Sequence, residues 1–65
     1  MLAQWTADVI GEMHLFGITA KQLAEKIGWH PKYLSQVLNG HVSPKGAEEK
    51  VRTALDALEF DLQNP

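Results

Sequence analysis

From Leu2 to Phe16 the apolar residues Leu2, Trp5, Val9, Met13 and Phe16 recur at intervals of three and four, the period of a helix with one buried stripe. Gly17 can take the left-handed conformation that ends a helix, and His14 stands in the last turn, where a positive ring suits the helix dipole. Thr19-Ala20-Lys21-Gln22 has the form of a capping box, so a second helix is predicted to start at Ala20. Its apolar face is Leu23, Ala24 and Ile27, and Gly28 ends it after about two turns. Pro31 suits the first position of a third helix, and His30, held extended by that proline, suits its cap. This helix runs to about Leu38, with Leu34, Val37 and Leu38 on one side and Lys32 and Gln36 pointing away from them. Asn39-Gly40 is a turn signal, and Ser43-Pro44 reads as the cap and first-turn proline of a fourth helix. Ala47, Val51, Leu55, Leu58 and Leu62 give that helix its apolar stripe, with residues 61 to 65 expected to fray. The pattern therefore predicts an all-α chain of four short helices.

Length and composition narrow what such a chain can do. Sixty-five residues, 45% of them hydrophobic, make one small core within a single domain spanning residues 1–65. With no Cys there is neither a disulfide framework nor a thiolate metal site. His14, His30 and His41 fall on separate elements without a paired ligand at helical spacing, so no metal site is expected. The glycines are scattered rather than gathered into a phosphate-cradling loop, and no nucleophile, base and orienting acid come together. No enzyme activity, cofactor or small-molecule substrate is expected. No apolar run approaches the length of a membrane span and no signal peptide opens the chain, so the expected setting is cytoplasmic, away from membranes.

The net charge of −2 conceals an uneven distribution. Residues 1–18 carry Asp8 and Glu12 without Lys or Arg. Residues 19–46 carry Lys21, Lys26, Lys32 and Lys45 against Glu25 alone, and residues 47–65 are acidic again. His30 and His41 lie in the basic middle.

That middle carries a resemblance. Two short helices joined at Gly28, the second opening on a capped proline with a polar outer face, resemble a helix-turn-helix over residues 20–39. The segment is similar to that of Cro and cI-type phage repressors and the XRE-like regulators of the lambda-repressor fold. Leu23, Ala24, Ile27, Gly28, Trp29, Leu34 and Val37 stand where that pattern wants apolar, small, apolar, Gly, apolar, apolar and apolar residues, and Asn39-Gly40 matches its usual ending. Two positions depart from it: Ala20 stands where many relatives place a phosphate-binding Gln, and Pro31 where many carry a base-reading polar side chain. A fifth helix is reduced to a stub from Phe60 to Leu62 at most.

The resemblance implies sequence-specific binding of double-stranded DNA by a small phage- or bacterial-type transcriptional regulator, a repressor by analogy, with helix 31–38 in the major groove. Lys32, Tyr33 and Gln36 would read bases. Thr19, Lys21, His30, Ser35, Asn39, His41, Ser43 and Lys45 would meet phosphates. Leu58, Phe60 and Leu62 are candidates for a homodimer interface. Plainer readings stand beside these: Lys32 and Gln36 as solvated helix residues, Tyr33 as a half-buried ring, and Thr19, His30 and Ser43 as helix caps. The alternative function is a protein-binding adaptor or inhibitor, using helix 1 or helix 4 of the same fold as its contact surface.

Overall fold

The computed structural model describes residues 3–64, so Leu2 of the first apolar stripe lies outside the described residues. Among those described there are four helices: α1 (Gln4–Phe16), α2 (Ala20–Ile27), α3 (Pro31–Leu38) and α4 (Ala47–Gln63). Gly17 ends α1, as its position after Phe16 predicts.

Burial follows the apolar stripes. Val9, Leu23, Leu34, Val51 and Leu55 are fully buried side chains, and Met13, Ile18, Ala24, Leu38 and Ala54 complete the core around them. α4 is the central support: it packs against α1 and α2, while α3 rests on α2 and more lightly on α1. Trp5 and Phe16, expected in the core, are half-buried at its edge. Thr6 is buried instead, which its polar side chain does not announce. Its hydroxyl donates to the Ala3 carbonyl at 2.7 Å, so burial leaves that donor satisfied.

The start and end of α4 differ from the sequence expectation. Ser43 is not its cap and Pro44 is not in its first turn. Residues 44–46 form a turn closed by the Ala47 amide on the Pro44 carbonyl (3.1 Å), and the helix begins beyond it. Gly46 occupies the cap position at φ 75°, a left-handed conformation that favours glycine and brings no side-chain acceptor. At the other end the helix does not fray at Asp61 but continues to Gln63, so residues 60–62 belong to α4 and form no separate fifth helix. Leu62 lies off the core and is exposed, while Ala54 takes a buried place on the stripe.

The outer edge of the α1–α4 seam is polar. Arg52 bonds Glu48 one turn earlier at 2.9 Å and reaches Asp8 of α1 at 3.8 Å. Further along, Oε2 of Glu59 is buried without a hydrogen-bond partner. Burial, then the negative charges of Glu12 and Asp56, push the Glu59 carboxyl above its ordinary value. The folded chain therefore holds the Glu59 proton to higher pH than the unfolded chain, and stability falls as pH rises through that window. Glu59→Gln is expected to raise the melting temperature at pH 7 by about 2–4 °C, as about 0.5 kcal/mol would in a domain this small. The gain should vanish when both proteins are melted below the ordinary carboxylate range.

Candidate nucleic-acid interface

The connection between α2 and α3 is built by local rules. Thr19 Oγ1 accepts the Gln22 amide at 3.1 Å, and the Thr19 amide donates back to Gln22 Oε1 at 2.8 Å, so the capping box is complete. The Thr19 hydroxyl also donates to Gln22 Oε1 at 3.2 Å, which commits both of its functions to the cap. At the far end of α2 the amides of Gly28 and Trp29 both donate to the Ala24 carbonyl, at 2.8 and 2.9 Å. This tight reversal needs Gly28 at φ 94°, where any other L-residue is strained.

α3 starts from His30, whose Nδ1 accepts the Lys32 amide at 3.1 Å, followed by Pro31 at the first helical position. Leu34, Val37 and Leu38 fix its inner face in the core. Lys32 is exposed on the outer side and Gln36, one turn on, is half-buried beside it. Tyr33 is half-buried too, because its ring stands edge-to-face against Trp29, with centroids 5.0 Å apart at 89°. This contact orients a candidate base-reading ring, and because Trp29 precedes α3 no helical spacing in the sequence signals it.

The end of α3 is also tied. Asn39 Nδ2 donates to the Ser35 carbonyl at 2.8 Å and to the Ser35 hydroxyl at 3.2 Å, so these two phosphate candidates are held against one another. The His41 amide closes on the Gln36 carbonyl at 2.9 Å. Beyond it His41, Ser43 and Lys45 are exposed along the α3–α4 connection, and Lys21 is exposed in the first turn of α2. Lys21, His30, Lys32 and Lys45 thus occupy the starts of α2 and α3 and the connection after α3, segments of basic character in an acidic chain.

A family model described as helix-turn-helix matches residues 15–48, more than half of the chain. The match runs from the end of α1 through both motif helices into the first turn of α4, and it is to a family of DNA-binding domains. This chain belongs to that helix-turn-helix family. No curated protein and no solved structure matches it. The helix-turn-helix is therefore α2, the Gly28 turn and α3, carried on a lambda-repressor-like all-α fold in which α1 and α4 supply the other walls of the core. No helix among the described residues is long and apolar enough to cross a membrane.

Proposed function

We propose that this helix-turn-helix protein is a small transcriptional regulator of phage or bacterial type that reads a specific duplex DNA sequence with α3 in the major groove. The observation that carries the reading is the division of α3 itself: one face is sealed into the core, the opposite one presents Lys32 and Gln36, and a Trp29-supported Tyr33 stands at the edge between them. Lys32 has the donors for guanine O6 and N7, and Gln36 the donor and acceptor for adenine N6 and N7. The Tyr33 ring offers apolar contact to a thymine methyl. Lys21, Lys45, His41 and Ser43 are the side chains free to meet phosphates, with His30 beside them. Thr19 and Asn39 act chiefly by fixing the helix ends, since their donors are already engaged, while the Ser35 hydroxyl accepts from Asn39 and keeps its own hydrogen for a phosphate.

An amide-shift titration with a short mixed-sequence duplex at low salt tests the reading. Shifts concentrated at residues 19–21 and 30–45 are expected, and shifts confined to α1 and α4, or none, would remove it. Lys45→Ala should weaken binding to every sequence alike and lower the salt slope by about one. Affinity measured from low to moderate salt on two unrelated duplexes reports both.

A second reading is favoured by the exposure of Leu15, Phe60 and Leu62 on α1 and α4, which suits a protein contact. Phe60 and Leu62 are the residues free to serve a homodimer, and Leu58, half-buried against the core, can contribute only its edge. Two copies would place two reading helices on half-sites one helical turn apart. Sedimentation of the chain with and without Phe60→Ser distinguishes a dimer from a complex with another protein.

A further inference from the structure

The first turn of α3 is held in an unusual way. Pro31 brings no N–H, so the first amide in the helix that needs an acceptor is that of Lys32, and it is met by a ring nitrogen of His30 at 3.1 Å. The common cap residues Ser, Thr, Asn and Asp accept such a bond throughout the neutral range. Histidine accepts it only as the neutral ring, and only in the tautomer whose hydrogen sits on Nε2. The same bond therefore leaves Nε2–H as a donor on an exposed ring beside the reading helix.

Protonation of His30 acts on this arrangement in three ways with one sign. It places a hydrogen on Nδ1, so that donor faces donor across the Lys32 contact. It sets a positive charge at the N-terminal end of a helix, where the dipole already disfavours one. It also adds that charge two residues from Lys32. Charged side chains of the neighbouring elements line a groove with Trp29, the residue before His30: Lys26 from α2, and Glu49 and Lys50 from α4.

We propose that His30 makes the reading helix pH-responsive. The neutral ring positions Lys32 by capping α3 and offers Nε2–H to a DNA phosphate, and protonation releases the first turn and weakens DNA binding. The sign opposes that of a histidine acting through charge alone, which would bind phosphate more tightly in acid. The cap stands on the geometry of the free protein, while its effect on binding rests on the DNA-reading role proposed above for α3.

The experiment uses the full chain with His14→Gln and His41→Gln, so that His30 is the one remaining histidine. Nitrogen-15 imidazole spectra at pH 7.5 should show hydrogen on Nε2, and the Lys32 amide should lose exchange protection between pH 7.5 and 5.5. Affinity for a mixed 20-base-pair duplex at constant ionic strength should fall about fivefold over the same interval, the scale of one lost cap. Adding His30→Asn, a cap indifferent to this pH range, should flatten both responses. Hydrogen on Nδ1, or a Lys32 amide indifferent to pH, overturns the cap. Affinity that rises in acid overturns the positioning role even where the cap is seen. A pH-responsive Lys32 amide with no DNA binding at any pH overturns the DNA-reading role of α3 and leaves the capping switch standing.

Discussion

Leu34→Ala is expected to leave much of the chain unfolded at 37 °C. Leu34 is fully buried beneath α3, and truncating such a side chain removes about 2–5 kcal/mol. A domain of this size has about 3–10 kcal/mol in total. The melting temperature should fall by about 10–30 °C in a circular-dichroism melt. Leu34→Met, which keeps the volume, should cost less than about 1.5 kcal/mol. A cooperative melt within a few degrees of wild type for Leu34→Ala would mean that α3 is not anchored through this residue. DNA binding should disappear with the fold, because Leu34 stands between Lys32 and Gln36 and anchors the helix that carries both.

Lys32→Ala combined with Gln36→Ala is expected to relax sequence preference to what Tyr33 alone supplies, while leaving the melt unchanged. Each good base contact discriminates by about 1–3 kcal/mol, so the pair should cost between about thirtyfold and about twenty-thousandfold at the preferred site. Binding to unrelated duplexes should weaken only by the one lysine charge. Selecting the preferred sequence from a random pool, then measuring both proteins on it and on a scrambled duplex, reads the effect directly. An unchanged preference in the double variant would place the reading surface elsewhere.

The sequence made some parts of this protein legible and hid others, and the division follows distance along the chain. The Thr19–Gln22 box, the Gly28 turn and the His30-Pro31 start are each complete within a few residues. Their chemistry can be read from neighbours, and the structure forms all three. The start of α4 is less legible, because Ser43-Pro44 has the form of a cap and first-turn proline while the helix begins after Gly46. The turn closed by Ala47 on Pro44 decides between them. The α1–α4 seam could not be read at all, since Asp8 meeting Arg52, and Glu12 standing by Glu59, depend on how two helices far apart in sequence lie together. In the candidate interface the residue types were legible, but their prior engagements were not. Ser35 and Asn39 look like unrelated polar groups until the bonds between them are seen, whereas the Thr19 cap is read from its neighbours.

The two helices of the motif are eight residues each, well short of the roughly 12–15 residues at which an isolated helix becomes even marginal in water. Neither can persist once the core under it opens, so a partly opened chain keeps neither helix of the motif. Lifetime in a cell and occupancy of DNA then draw on one free energy: whatever fraction of the chain is open to a protease is the same fraction missing from its site.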